Sequence, residues 1–239
     1  MSSTINLLYE KQIAVNDAIK IVIPTVGDII DDEGTYYGMV STLTSSPYDM
    51  MAQLDEVGID FTKINEYELF LLMFPGLQAQ DTSLIFGDLD LTKFKFAINE
   101  QTEMVTLVDP ENDITIDRGV YSKIAMVLRK LHHLEENRRK PANEEAKRYL
   151  LEKAKRKLRR QRNKKQESQL ESLIVAMVNT EQYKYDFEGT KELSIYQFNE
   201  CVRQIISKVD YEHRMAGVYA GTISVKDLSQ DDLNWLTHK

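Results

Sequence analysis

Four groups of side chains have types and spacings that could do chemistry. His132 and His133 could ligate a metal. Neighbours on a helix point to different faces, however, so the pair cannot jointly hold one ion from that helix, and "HHLEE" is not an H-E-x-x-H arrangement. The plainer reading is a helix-face pair with one ring half buried and one solvated. In "DPENDITID", Asp109, Glu111 and Asp113 alternate as in a calcium loop. Such a loop needs glycine at its sixth position and a bidentate glutamate at its twelfth, where this chain has Ile114 and Val120. A polar hairpin turn is the alternative. Cys201, the single cysteine, lies in "QFNECVRQII" with Glu200 and Arg203 nearby. A nucleophilic thiol wants a positioned base and an electropositive pocket, whereas apolar helical periodicity makes Cys201 a core thiol. Tyr36, Tyr37 and Tyr48 could form a binding face or pack between helices.

The fourth group is cationic. Residues 138–165 hold fourteen Lys/Arg against three Glu, a local net of +11; the whole chain is −8, so the remainder carries −19. A molecule polarised in this way can bind an acidic partner through one element and repel it elsewhere, or fold the basic element onto its own acidic body. Within "NEEAKRYLLEKAKRKLRRQRNKK" the pattern predicts a helix over 143–165. Asn143 is its cap, Glu144 and Glu145 stand in the first turn, and Arg and Lys mass toward the C-terminus. Glu144–Arg148 and Glu152–Arg156 have i, i+4 ion-pair spacing. Ala146, Leu150, Ala154 and Leu158 form a thin apolar seam. The residues picked out for partner binding are Lys147, Arg148, Lys155, Arg156, Arg159, Arg160 and Arg162. Only Tyr149, Gln161 and Asn163 could read bases, so any nucleic-acid binding through 138–165 would be backbone-directed and salt-sensitive.

No other constellation points to catalysis. The ten glycines form neither a phosphate-binding loop nor a dinucleotide-binding turn, and no nucleophile elbow occurs. The expectation is a protein that is not an enzyme, with no catalytic residue, no metal and no cofactor. One cysteine excludes a disulfide framework within the chain. The start "MSSTINLLYEKQIAV" lacks the features of a signal peptide, and the longest apolar runs, "LFLLMF" and "LIVAMV", are far short of a membrane span. A soluble intracellular protein is expected.

The elements that must position these side chains divide the chain in two. Residues 1–117 read as a mixed part. "LLYEKQIAV" and "AIKIVIP", joined at Asn16-Asp17, signal a hairpin ended by Pro24. "SSPYDMMAQLDEVG" reads as a helix capped by Ser46, with Pro47 in its first position and Gly58 as its stop; "NEYELFLLMFPG" reads as a buried helix ended by Pro75-Gly76. "SLIF", "KFKFAI", "MVTLV" and "ITI" read as strands, linked by turns such as "NEQTE" and "DPEND". Alternation of Lys93, Lys95 and Ala97 with Phe94, Phe96 and Ile98 suggests one wet face, on a sheet that the N-terminal hairpin could join.

Residues 118–239 read as helical. Val120, Ile124, Val127, Leu128, Leu131 and Leu134 make one stripe; Ile195, Phe198, Val202, Ile205, Ile206 and Val209 make another. Ser168 with Glu171, Ser194 with Gln197 and Ser229 with Asp232 mark three helix starts. The fold class is therefore α+β: a small antiparallel sheet with short helices in the N-terminal half, then a helical C-terminal half.

The stretches "IKIVIPTVGDII", "YDMMAQLDEVGIDFTKINEYELFLLMF" and "RMAGVYAGTISVKDLSQDDLNWL" resemble proteins of about this length from structural-gene modules of tailed phages and prophages of Gram-positive bacteria. The order of features also resembles the baseplate-hub assembly proteins of T-even-type contractile phages. What these resemblances imply is a non-enzymatic role in tail or baseplate morphogenesis, as a chaperone or minor structural component. The implied partners are tail, baseplate or tape-measure proteins, with no membrane. The implied place is the host cytoplasm, with or without carriage in the virion. Nucleic-acid binding through 138–165 is the second reading.

Overall fold

The computed structural model describes residues 6–99, 103–137, 140–162 and 167–236. The segment "MSSTI", the middle of the "NEQTE" linker, Arg138, Arg139 and residues 163–165 of the basic run lie outside them.

β1 (Gln12–Ala14) and β2 (Lys20–Val22) pair antiparallel with Ile13 opposite Ile21. Asn16 makes the turn: its Oδ1 accepts the amides of Ala18 and Ile19 at 3.0 and 2.7 Å. Past Pro24 the chain joins the far end of the sequence. The Val26 amide donates to the Leu193 carbonyl, and the Ile195 amide to that of Pro24, both at 2.9 Å.

α1 (Val26–Ile30) starts from a Thr25–Asp28 capping box and leads into α2 (Glu33–Thr44). Ser46 binds Asp49 as a cap, its amide and hydroxyl donating to the carboxylate at 2.9 and 2.8 Å, yet α3 (Met51–Glu56) begins later than expected. The Asp49 amide bonds the Ser46 carbonyl three residues back, so the stretch from Pro47 stays a tight turn. Gly58 does stop the helix. At φ +75 it lets the Ile59 amide reach the Leu54 carbonyl at 2.9 Å, and its own amide the Asp55 carbonyl at 3.0 Å.

α4 (Glu66–Gln78) carries a full Asn65–Glu68 capping box. Asn65→Ala is expected to lower the unfolding free energy by about 1 kcal/mol, read from the urea midpoint at unchanged slope. Contrary to expectation, α4 runs through Pro75-Gly76. Phe74 and Leu77 are fully buried and the Gln78 side-chain Nε2 donates to the carbonyls of Leu91 and Phe94, so tertiary contacts hold the turn that proline weakens. "SLIF" is also corrected: it is α5 (Ser83–Phe86), not a strand. Ile85 and Phe86 are adjacent and both buried, which the alternating faces of a half-exposed strand do not allow, and the Asp81 carboxylate accepts the Ser83 amide at its start.

β3 (Lys95–Ile98), β4 (Val105–Asp109) and β5 (Ile114–Ile116) form an antiparallel sheet in that order. It does not merge with β1–β2; β2 packs on α5 and α6 (Arg118–Leu131) instead. The expected split into wet and dry faces fails at β3. The cross-strand row Ile116–Leu107–Phe96 goes from buried to half exposed, and Ile98 is 70% exposed, because α6 covers the sheet from the β5 side.

In α6 the apolar stripe is buried at Ile124, Val127, Leu128 and Leu131, with Val120 half buried. Leu134 falls outside it, because His133 at φ +52 has turned the chain out of the helix. Arg129, in the last turn, ties three helices. It donates to the Thr44 carbonyl at the end of α2 at 2.6 and 3.2 Å and to Glu66 at the start of α4 at 3.0 Å.

After α7 (Glu144–Arg162) come α8 (Gln169–Val178), α9 (Phe187–Glu192) and α10 (Ile195–Tyr219). Ser168 and Ser194 cap α8 and α10 as expected. Ser229 and Asp232 also bond each other, but what they cap is a single 3-10 turn, Asp231–Leu233, not an α-helix. Short helices need tertiary burial to persist, and among the described residues none beyond Phe198 is fully buried.

The architecture is α+β, and one main core draws on both 1–117 and 118–239. Ile21, Tyr36, Phe70 and Phe74 share it with Leu128, Leu170, Ile174 and Phe198. A smaller cluster stands apart: Leu54, Phe61 and Leu69, wrapped by Tyr48, Met50, Met51, Ile59, Ile64 and Met73.

Candidate partner-binding helix

α7 forms for local reasons. Asn143 Oδ1 accepts the Ala146 amide at 2.8 Å, Glu144 and Glu145 occupy the first turn, and Arg159, Arg160 and Arg162 the last. Each placement suits the helix dipole. The seam Ala146, Leu150, Ala154 and Leu158 is half buried, joined by Leu151, and the helix packs on α3. No residue of α7 is fully buried.

The basic helix folds onto the acidic body. Lys147 Nζ donates to Asp60 Oδ2 at 2.8 Å and lies 5.8 Å from the Phe61 ring centre. Lys155 Nζ is 2.7 Å from Asp55, and Arg162 grips Glu56 through two bonds of 3.1 and 2.8 Å. Hydrogen bonds from Lys147 and Thr62 hold the Asp60 carboxyl far below the usual carboxylate range. The same pairings raise Lys147, Lys155 and Arg162, first through their hydrogen bonds to the acids. Among the described residues, the expected Glu144–Arg148 and Glu152–Arg156 pairs do not form within 4 Å; Glu144 approaches Lys147 instead, at 3.9 Å. Solvated pairs on one helix face are weak enough to lose to side-chain freedom.

Of the seven residues picked out from the sequence, Lys147, Lys155 and Arg162 are thus engaged with the body. Arg148, Arg156, Arg159 and Arg160 point away from it and are exposed. Lys153 and Lys157, which the sequence reading left unnamed, join them: at 100° per residue, positions 153, 156, 157 and 160 share one helix face. Among the described residues these six cations make no ion pair, and Tyr149, 65% exposed, sits in their midst. The wheel carried the signal for Lys153 and Lys157; which sector faced outward required knowing where α3 lies.

The other candidate groups are structural. His132 Nε2 is 2.9 Å from the Tyr36 hydroxyl, and burial pushes its pKa down to about 4. His133 lies 3.4 Å from Glu200, and partial burial lowers it as well. The pair caps and leaves α6 rather than lying along it. Among the described residues no three His, Cys, Asp or Glu side chains gather as a metal site. Asp109 is buried and receives the Asn112 side-chain amide and the amides of Glu111 and Asn112, which lower its pKa: a hairpin turn. Cys201 packs partly buried against the core, and that burial raises its thiol. Tyr36 is fully buried, Tyr37 meets it edge-on, and Tyr48 stands edge-on to Phe61. Among the described residues no helix is long and apolar enough to cross a membrane.

Comparison with known families places a relative at the C-terminal end. No curated protein and no solved structure matches the chain. Residues 162–239, from the last residue of α7 to the end, match the family described as the YomV second domain. YomV is a Bacillus prophage protein, so the C-terminal third of the chain is similar to a phage-related family.

Proposed function

We propose that the protein is a non-enzymatic phage assembly factor, a chaperone or minor structural component of the tail or baseplate. It docks the outer face of α7 on an acidic surface of a tail, baseplate or tape-measure protein. The observation that carries this reading is geometric. The inner face of α7 is anchored by three ion pairs, which leaves Arg148, Lys153, Arg156, Lys157, Arg159 and Arg160 on a face that the fold itself does not use. Complementary charge of this kind speeds encounter and selects partners. The similarity of residues 162–239 to a prophage family supplies the biological setting.

The test is a pull-down from phage-induced cells with the tagged protein and with the variant R156E/R160E. The wild type is expected to recover tail, baseplate or tape-measure protein, and the variant at least tenfold less. Recovery of none of them by the wild type sinks the reading. A second reading, nucleic-acid binding, is favoured by Tyr149 among arginines, an arrangement on which bases stack. The −19 carried outside the basic segment repels any acidic partner, protein or nucleic acid, and so does not separate the two readings. Anisotropy titrations with single-stranded DNA at two salt concentrations decide: absence of binding at low salt removes this second reading.

A further inference from the structure

We infer that α7 is a transferable arm: an acidic partner competes with Asp55, Glu56 and Asp60 of the body, and the whole helix moves from α3 to the partner. This rests on the docking reading above and specifies how the docking occurs. The first support is burial. α6, α8 and α10 each place fully buried residues in the core, whereas α7 places none. A helix of nineteen residues held by a half-buried seam and three solvent-accessible ion pairs is attached less deeply than its neighbours.

The second support is the kind of bond that holds it. Lys147–Asp60, Lys155–Asp55 and Arg162–Glu56 are solvent-accessible pairs of cation and carboxylate, at 2.8, 2.7 and 2.8 Å. An acidic protein surface offers the same bonds to the three cations, and the Asp55, Glu56 and Asp60 carboxylates they leave behind are partly exposed, so water takes the vacated places. The anchors stand eight and seven residues apart, roughly 10–12 Å of helix each. A partner with carboxylates at that spacing along one line would take over all three.

The third support is what lies beneath. α3 belongs to the small Leu54–Phe61–Leu69 cluster, separate from the main core, and Met50, Met51 and Met73 border it. Flexible methionine side chains can close over a surface from which a helix has lifted. Departure of α7 therefore leaves the main core intact. The freed helix presents all nine of its cations, against six while it is docked.

Amide hydrogen exchange on the free, full-length protein tests this, with the amides of α6 as the internal reference. The α7 amides are expected to exchange at least tenfold faster than those of α6, as one block along the helix. Raising the salt, or introducing D55N/E56Q/D60N on the body, should speed them a further threefold or more while α6 stays unchanged. Exchange of α7 in step with α6, fraying from its ends only, or indifference to both salt and the body variant would overturn the transfer. Those outcomes leave docking through the outer face standing. Rapid block exchange combined with an empty pull-down would instead sink the partner assignment and keep the arm.

Discussion

Phe198→Ala is expected to lower the unfolding free energy by about 3–5 kcal/mol. The ring is completely buried in the first turn of α10, edge-on to Tyr183 with centroids 6.4 Å apart. It lies in the same cluster as Ile21, Tyr36 and Phe74, so the cavity left by truncation opens in a core built from both ends of the chain. Backbone bonds between Pro24 and Ile195, and between Val26 and Leu193, limit how far the site can collapse to fill it. Urea unfolding followed by far-UV circular dichroism should show one cooperative transition displaced to lower denaturant. The milder Phe198→Leu, which keeps most of the volume, is expected to cost no more than about 1.5 kcal/mol. A loss below about 1 kcal/mol for the alanine variant would mean that α10 is not integral to the main core.

The second large effect is on pH dependence. His132 is half-buried against Tyr36 and Tyr37, and its desolvation there lowers its pKa from 6.5 to about 4. In the unfolded chain the ring titrates near its ordinary value. Between these two values the unfolded state holds more protons than the native state, so stability falls as pH falls. The contribution is fully present above about pH 6.5. By linkage, roughly 2 kcal/mol is lost by pH 5 and about 3 kcal/mol by pH 4. His133, lowered in the same direction by its own burial, adds to the slope. Chemical denaturation at a series of pH values measures this. His132→Gln should start less stable at neutral pH and show a flatter profile between pH 6.5 and 5. A wild-type profile that is flat over that window would place the ring in water.

Much of the secondary structure was legible because its causes are local. The Ser168 cap, Ser194 with Gln197, the Asn16 turn and the Gly58 stop each involve groups within a few residues, and each appears as read. The misreadings share a cause too. Pro75 should end α4, "SLIF" should extend, Phe96 and Ile98 should be covered, and Ser229 should open a helix. In each case distant packing, or its absence, outweighed a local preference.

The candidate site divides along the same line. The composition and caps of residues 143–162 were enough to specify a strongly cationic helix with a thin apolar seam, since charge, periodicity and capping are properties of consecutive residues. They could not specify which cations remain available. That depends on Asp60 and Glu56, which lie 87 and 106 residues away from the Lys147 and Arg162 they bind. The pairing exists only because the chain brings α3 beneath α7. Folding thereby turns a run of basic residues into two faces, one held by the body and one directed outward.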